Sequence, residues 1–267
     1  MGCSPGGYPI SQAYTKYRTL PKNTGHCGHC IVCKGFGFSK KSISWQGMVF
    51  FSDLNIAFFP VFTIKGTKWI TTTRTLNEIG IDNGEAPRDD KIKTKNGNEG
   101  HLNLGWLYLE VEGEHSLNND NLNNFNFNSF KLNADDIIIV PESLFSQIVN
   151  SNLEMRTSVS IDPITGAAKE GALFTSEAIP RGTIFYGTIR VFDKKEFEDI
   201  ENSLKPLPKA DELKQALNNS KHFYETLGIG GMTTRGFGRL VINISDPEAK
   251  NASSNNDGGE RNEQPET

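Results

Sequence analysis

The segment that most constrains the fold is residues 155–187, MRTSVSIDPITGAAKEGALFTSEAIPRGTIFYG, because it has the pattern of two strands joined by a tight turn. A strand-like run from Thr157 to Ile161 meets Asp162-Pro163, and Thr165-Gly166 follows at turn spacing. Asp caps such a turn with its side chain, Pro fixes φ at the first corner, and Gly takes the left-handed corner. The sequence therefore predicts a chain reversal over residues 162–166.

The return limb of this hairpin starts with Lys169 and continues with the apolar residues 172–174. A second turn at residues 180–182 leads into an alternating strand over residues 183–192. We expect a limb that is basic and exposed at its base and apolar at its tip. From the pattern alone, an ordinary hairpin inside a larger antiparallel sheet is the alternative interpretation.

Two further stretches have unusual compositions. Residues 228–238, GIGGMTTRGFG, contain five glycines and Arg235, and they lead into an alternating strand over residues 239–244. Glycine at this density lets a backbone approach a ligand closely, and its amides can bind phosphate. Residues 47–69, GMVFFSDLNIAFFPVFTIKGTKW, combine a strand, Ser52-Asp53 and a long apolar run.

In this order, the three stretches resemble the small multi-copy backbone subunit of type III-B (Cmr) CRISPR effector complexes, a member of the RAMP superfamily. The resemblance covers most of residues 35–244. It is carried by Gly37 with residues 47–53, FFPVFTIKG at 58–66, IDPITGAAKEGALF with IPRGTIFY between 161 and 186, and LGIGGMTTRGFG at 227–238. The backbone subunit of type III-A (Csm) complexes shares much of this pattern and is the nearest alternative.

Strands mixed with a few helices, without regular βα alternation, predict an α+β fold. The resemblance implies a ferredoxin-like, RRM-like palm with insertions, from which the hairpin protrudes as a thumb. It also implies a subunit that binds guide RNA along a filament of its own copies, contacts other effector subunits and positions target RNA for antiviral defence. Basic and glycine-rich loops would hold phosphates, and exposed side chains would stack on bases. The RNA-binding residues implied or favoured are Lys16, Arg18, Arg156, Lys169, Phe174, Gly230, Gly231 and Arg235.

The positions of the acidic residues leave open whether this chain cleaves RNA. Members of this family cleave target RNA with a metal-dependent Asp near the N-terminus, and a carboxylate there would bind Mg²⁺. In this chain no Asp or Glu precedes Asp53. Either the reading frame lacks the family's first strand and loop, or this copy only binds RNA. Asp53 is a substitute candidate, but its place between two apolar strands favours a structural turn.

Charge is distributed unevenly along the chain. The segment before Asp53 carries six basic residues and no acidic ones, so the rest carries −10 if the whole chain carries −4. A local excess of positive charge indicates a polyanion partner, although a solvated basic surface is the alternative. The six basic residues are Lys16, Arg18, Lys22, Lys34, Lys40 and Lys41.

All four cysteines lie within the first 33 residues. Cys27, Cys30 and Cys33 stand in GHCGHCIVCKGFG with His26 and His29 between and before them. Zn²⁺ takes four such ligands in a tetrahedron, and Cys3 would have to be the fourth partner if the neighbouring residues cannot all reach one ion. Reduced structural thiols in a loop are the alternative, since a cytoplasmic location disfavours disulfides.

The domain prediction is one RAMP domain over residues 1–245 and a disordered tail over 246–267. We expect insertions around 71–100 and 113–130 and a thumb around 154–183. The first insertion is either a mobile loop or a segment that orders on binding, and the second is an asparagine-rich linker. Helices are predicted over 194–204 and 210–227. No apolar run approaches the length of a membrane span and no signal-peptide pattern follows Met1, so we expect a cytoplasmic protein without a membrane partner.

Two functions of other classes compete with the resemblance. One is a zinc-dependent nucleic-acid enzyme built on the three clustered cysteines, which would lack the His-x-Glu partner of zinc deaminases. The other is a purely structural subunit that forms oligomers. Metal analysis tests the first, and co-purification of RNA tests the second.

Overall fold

The computed structural model describes residues 26–40, 43–97, 100–127, 130–197, 199–200 and 204–245. The chain divides into two compact units. One unit comprises Met1–Phe50 with Ile189–Thr267, and the other comprises Phe51–Thr188. The predicted single-domain boundaries stay a prediction, and the predicted tail lies outside the described residues.

The central unit is built on a seven-stranded mixed sheet. Its strands are β4 (Asn55–Thr63), β5 (Gly66–Thr71), β6 (Lys91–Thr94), β7 (His101–Leu104), β8 (Leu107–Glu114), β9 (Ile137–Ile139) and β12 (Ile184–Tyr186). The strand order across the sheet is β12-β4-β5-β9-β6-β8-β7. Two helices accompany it, α2 (Thr73–Glu78) and α3 (Glu142–Ser151). This mixture of sheet and helices confirms the predicted α+β class.

The apolar run of β4 forms the middle of this unit because both of its faces are covered. Ala57 and Phe58 belong to one buried cluster, whereas Phe59 and Val61 belong to another. β12 begins with Ile184 opposite Phe58 and runs away from Pro60. The Pro60 nitrogen, which cannot donate to a ladder, therefore meets no strand on that side.

The sheet curls so far that its last strand returns to β4. The backbone N–H of Gly105 donates to the Phe62 carbonyl at 3.0 Å, and the Ile64 N–H donates to the Asn103 side chain at 2.7 Å. The curled sheet encloses the second cluster, which includes Ile92, Leu102 and Leu104.

The expected mobile loop over 71–100 is wrong for its described part. It contains α2 and β6, and Leu76 and Ile92 are fully buried. β6 pairs with β8 and β9, and alternate residues of its KIKT sequence are therefore buried. The sequence does not indicate this strand because it is short and the residues around it are polar. The expected linker around 113–130 likewise buries Leu117 and Leu122 in the first cluster.

The predicted hairpin is present and forms a two-stranded sheet of its own, β10 (Glu154–Ile161) with β11 (Ala168–Ala178). It is therefore not part of the larger sheet, and the alternative interpretation is wrong. The turn between the strands is closed by bonds from the N–H groups of Gly166 to Asp162 and of Asp162 to Ala167, both 2.9 Å.

The other unit has a smaller core of its own. Its elements are α1 (Ile31–Phe36), β1 (Phe38–Lys40), β2 (Ile43–Trp45), β3 (Val49–Phe51), β13 (Ile189–Val191) and α4 (Ala210–Leu227). β1 pairs with β2, and β3 pairs with β13. Met48, Cys33 and Trp45 pack with Leu213 and Leu217 of α4.

The prediction of α4 is confirmed at both ends. The helix begins after Lys209, whose N–H donates to Glu212 at 2.8 Å, and it ends at Gly228, which has a positive φ of 76°. Its predicted apolar face is only half buried, because Tyr224 and Leu227 are exposed.

Three other expectations for this unit and its border need correction. The predicted strand over 183–192 is divided into β12 and β13, and the helix predicted over 194–204 is a short 3-10 turn, Lys194–Phe197, in its described part. Residues 239–244 form no strand. None of the helices in the described ranges is both long and apolar enough to cross a membrane.

Candidate RNA interface and metal centre

The thumb, β10 with β11, is exposed on both faces. Met155, Leu173 and Phe174 expose more than half of their surface, and no thumb residue belongs to any of the three buried clusters. An isolated two-stranded hairpin is marginally stable in water. Both faces of the thumb are therefore available for contact with a partner.

The two faces of the thumb have different chemistry. Val159 pairs with Leu173, and Ser158 pairs with Phe174. Since neighbouring side chains on a strand point to opposite faces, Phe174 shares its face with Ser158 and Arg156, while Leu173 lies on the other face. Leu173 and Phe174 lie half-way along the hairpin and not at its tip, where the sequence predicts them. The exposed apolar residue at the tip is Ile164.

The two basic thumb residues are held differently. The Arg156 guanidinium contacts Glu154 on its own strand at 2.5 Å, so a phosphate would have to compete with that carboxylate. Sequence reasoning missed Glu154, although its spacing of two residues on a strand places it on the face of Arg156. Lys169 is exposed within an irregular stretch of β11 that contains the left-handed Gly171.

The glycine-rich segment forms a loop closed at its neck. The Ile229 N–H donates to the Gly238 carbonyl at 2.9 Å. Both neck glycines are required, because a Cβ on Gly228 would lie 2.9 Å, and one on Gly238 only 1.9 Å, from a backbone oxygen across the neck. The structure thus gives the predicted loop a defined shape.

The candidate ligand groups lie on the outside of this loop. A Cβ on Gly230 or Gly231 would meet no atom within 4 Å, so local packing does not require glycine there, and the backbone is open to a ligand. Arg235 is exposed at the end of a short 3-10 turn, Thr233–Arg235. Met232 before it adopts a left-handed φ of 56°, which is uncommon for a residue with a side chain.

The basic segment near the N-terminus contains fewer candidate phosphate ligands than its charge suggests. Lys34 is only 2% exposed, and its amino group donates to the Leu204 carbonyl, so it is removed from the candidate phosphate ligands. Lys16 and Arg18 lie outside the described residues. Asp53 is exposed between β3 and β4, and its carbonyl accepts the Ser52 hydroxyl at 2.8 Å.

The three clustered cysteines come together at the start of α1. Their sulfur atoms all lie within 4.8 Å of one another, and Cys27 Sγ is 3.9 Å from Cys33 Sγ. Tetrahedral zinc with Zn–S bonds of about 2.3 Å needs sulfur atoms about 3.8 Å apart. The residues therefore fit a metal ion such as zinc, and close spacing in sequence does not prevent them from facing one point.

The surroundings of the cysteines also suit thiolate ligands. Cys27 Sγ accepts the N–H of Cys30 at 3.2 Å, and Cys30 Sγ accepts the N–H of Cys33 at 3.4 Å. His26 Nδ1 lies 3.9 Å from Cys33 Sγ. Burial lowers the pKa of Lys34, while negative charge on Cys27 and Cys33 acts against this lowering.

These cysteines are the only group of three or more thiol, imidazole or carboxylate side chains that come together in the described ranges. The thumb belongs to the central unit, whereas the glycine-rich loop and the cysteines belong to the other.

Comparison with known proteins supports the resemblance. A family model described as the RAMP superfamily matches residues 11–241. The CRISPR system Cmr endoribonuclease Cmr4 of Pyrococcus furiosus is 23% identical over 226 residues, which cover 78% of this chain and 72% of that protein.

The comparison also found solved structures. A type III-B Cmr-beta complex in the apo state contains a chain with a TM-score of 0.50 and 14% identity, and the match covers 78% of this chain and 73% of that one. Oligomeric Cmr4 from Pyrococcus furiosus matches at a TM-score of 0.48 and 18% identity, covering 89% of this chain and 91% of that one. The family model spans most of the sequence, and the chain therefore belongs to the RAMP superfamily.

Proposed function

We propose that this chain is a backbone subunit of a type III CRISPR effector complex, of the III-B (Cmr) kind. It binds guide RNA along a filament of its own copies and positions target RNA beside other effector subunits. The observation that carries the proposal is a thumb exposed on both faces in a RAMP-superfamily chain. The similarity to Cmr4 supports the III-B assignment, and a III-A (Csm) subunit stays the untested alternative.

The Phe174 face of the thumb is the surface we assign to RNA. Phe174 offers a ring to a base, and Arg156 on the same face offers a guanidinium to a phosphate once Glu154 is displaced. Base stacking on an aromatic side chain contributes about 1–3 kcal/mol per base. Arg235 and the open amides of Gly230 and Gly231 would hold phosphate at the glycine-rich loop.

Cleavage of RNA is not part of this proposal. The Pyrococcus protein is named an endoribonuclease, but in the described residues the three cysteines are the one group of three or more thiol, imidazole or carboxylate side chains that comes together. Nuclease activity and its need for Mg²⁺ stay predictions. The binding role requires neither of them.

Zinc held by Cys27, Cys30 and Cys33 has a structural role in this proposal. Zinc would join the turn before α1 to the buried Cys33, and His26 or Cys3 would supply the fourth ligand. A structural zinc site contributes folding free energy directly. Metal analysis of protein purified without chelator should find one zinc per chain, and chelation should lower the melting temperature. Absence of stoichiometric metal would contradict the zinc site and also exclude the rival zinc enzyme.

Binding of fluorescent single-stranded RNA, measured by anisotropy over a series of salt concentrations, tests the function. Affinity should fall steeply with salt because phosphate contacts release counterions. Phe174→Ala and Arg235→Ala should each weaken binding of a long RNA, whereas Phe223→Ala, an exposed aromatic on α4, serves as the control. Leu173→Ala tests the face assignment and should have the smaller effect of the two thumb changes.

Several outcomes would count against the proposal. If the affinity for RNA did not depend on salt, the protein would not bind RNA through phosphate contacts. If Phe174→Ala and Phe223→Ala changed RNA affinity equally, the assignment of RNA to the Phe174 face of the thumb would be wrong. Protein that neither co-purifies with RNA nor binds it would favour the purely structural alternative.

A further inference from the structure

Residues 239–244, RLVINI, have the side-chain arrangement of a strand but no partner strand. Leu240, Ile242 and Ile244 are half-buried, whereas the residues between them are exposed, as in a strand that lies with one face on a core. No backbone N–H or C=O group in the last five of these residues has a hydrogen bond within the described part of the chain. One row of a β-ladder is therefore present here without the other.

The strand β13 has a free edge in the same unit. Phe192, directly after β13, donates its N–H to the Met48 carbonyl beside β3 at 2.9 Å. Backbone groups of neighbouring residues on a strand point to opposite sides, so those of Arg190 face β3 and those of Ile189 and Val191 face away. No strand pairs with this second side in the described ranges. An unpaired edge of this kind is a template for another strand.

We call this edge of β13 and residues 239–244 the two open edges. Both contribute side chains to one core, because Ile189, Val191 and Ile244 pack against the same buried cluster. The open edges do not pair with each other, and β13 with β3 forms a sheet of only two strands. Such a sheet is marginally stable on its own. One strand placed between the open edges would pair with both and complete a sheet of four.

The side chains beside the open edges specify which strand fits. On the core side they are apolar and half-buried, so the side chains of an added strand that face the core must also be apolar. On the outer side, Arg190 and Arg239 are exposed and have no hydrogen-bond or ion-pair partner in the part of the chain that the structure describes. Opposite charges on neighbouring strands stabilise a sheet, so acidic side chains fit the outer side.

This chain does not offer a free segment with that pattern. Residues 1–25 contain no Asp or Glu, and residues 246–267 contain no branched aliphatic, methionine or aromatic side chain. β8 does alternate apolar and acidic residues, but it already pairs with β6 and β7. A strand from another protein is therefore the better match.

We propose that the open edges bind an extended segment of a partner protein in which apolar and acidic side chains alternate. The segment adds a strand through backbone hydrogen bonds to both open edges. Its apolar side chains face the core of the unit, and its acidic side chains face Arg190 and Arg239. This contact goes beyond the RNA-binding function and does not need RNA.

Hydrogen–deuterium exchange of the RNA-free, full-length chain tests the proposal. The probe is a peptide of about nine residues, the length of a long strand, in which valine and glutamate alternate. In the free protein, the amides of residues 189–191 and 240–244 should exchange rapidly, and saturating peptide should slow them at least about tenfold. A peptide with the same residues in one valine block and one glutamate block is the control and should not slow them.

Charge reversal tests the acidic side of the pattern. Arg190→Glu and Arg239→Glu should each weaken peptide binding about fivefold. Lys131→Glu, at an exposed position in the central unit, should leave peptide binding unchanged. An unchanged melting temperature confirms that each variant is folded. Equal peptide affinity of all three variants would overturn the proposal.

N-methylated peptides test whether the strand lies between two neighbours. The N–H groups of the valines point to one edge of the peptide strand and those of the glutamates to the other. N-methylation of either set should therefore abolish binding. If one of the two modified peptides still bound, the strand would pair on a single edge, and the proposal would be wrong.

The remaining outcomes are equally decisive. Slow exchange at both open edges in the free protein would overturn the proposal, because this chain or a second copy would already supply the strand. Lack of peptide binding at about 1 mM would also overturn it, and slowing of the same amides by single-stranded RNA would assign the open edges to RNA. The RNA affinity of the unaltered chain is measured separately, so the proposed function stands or fails independently.

Discussion

We expect His115 to make the central unit less stable in mild acid. The imidazole is 3% exposed, its Nε2 lies 3.0 Å from the Ile137 carbonyl, and its Nδ1 has no hydrogen-bond partner among the described residues. The contact with a carbonyl requires a proton on Nε2, which leaves Nδ1 as a buried acceptor. Burial is the main cause that lowers the pKa of His115 in the folded protein.

The sign of the effect follows from proton binding. Below the unfolded-state pKa of about 6.5, the unfolded chain gains a proton that the folded chain still excludes, so stability falls as pH falls. While the folded chain stays neutral, the loss at pH 5.5 is about 1.4 kcal/mol. The loss ends once the pH drops below the lowered pKa of the folded state.

Denaturant unfolding of the parent and His115→Gln at pH 7.5 and pH 5.5 measures this loss. The glutamine amide can still donate to Ile137 but does not titrate, so the parent should lose more stability than the variant, by up to about 1.4 kcal/mol, the limit for a folded chain that stays neutral. His222→Gln is the control, because His222 is exposed on α4. Equal pH dependence of the parent and His115→Gln would refute the argument.

Three further predictions concern stability. Ile92→Ala should lower the free energy of unfolding by about 2–5 kcal/mol, because truncation of a fully buried side chain leaves a cavity. A change near zero would indicate that β6 is a mobile loop and not a buried strand. Gly238→Ala should lower the melting temperature and reduce RNA affinity, since its Cβ would overlap the Ile229 carbonyl, whereas Gly231→Ala should leave the melting temperature unchanged. Replacing residues 157–175 with a two-residue turn should change the melting temperature little, because the thumb adds nothing to the buried clusters; unfolding of this variant would show that the thumb is part of the core.

Local signals were sufficient where an element is determined by its own residues. The Asp-Pro and Thr-Gly corners specify the thumb turn, and Asp162 Oδ1 indeed accepts the N–H of Ile164 at 2.8 Å. The ends of α4 were equally predictable, since the helix ends at Gly228, whose φ of 76° is one that residues with a side chain rarely adopt. The Cys-x2-Cys-x2-Cys spacing indicated which residues could bind a metal. Only the fold of the turn before α1 shows that their three sulfur atoms lie close enough to bind one ion.

Long-range pairing explains what the sequence concealed. β6 is short and lies in polar surroundings, and it becomes buried only because β8 and β9 flank it. Residues 239–244 alternate like a strand but have no partner strand in the described part of the chain. Lys34 reads as a surface charge until Leu204, 170 residues away, accepts a hydrogen bond from its amino group.

The glycine neck at Gly228 and Gly238 has a consequence for how this protein can vary. Because the two ends of the loop meet at Ile229 N and Gly238 O, the nine residues between the neck glycines are attached to α4 at one narrow point. Their sequence can be exchanged without moving the helix, much as an antibody loop is exchanged on a constant framework. The sequence of this loop is thereby separated from the stability of the helix that carries it.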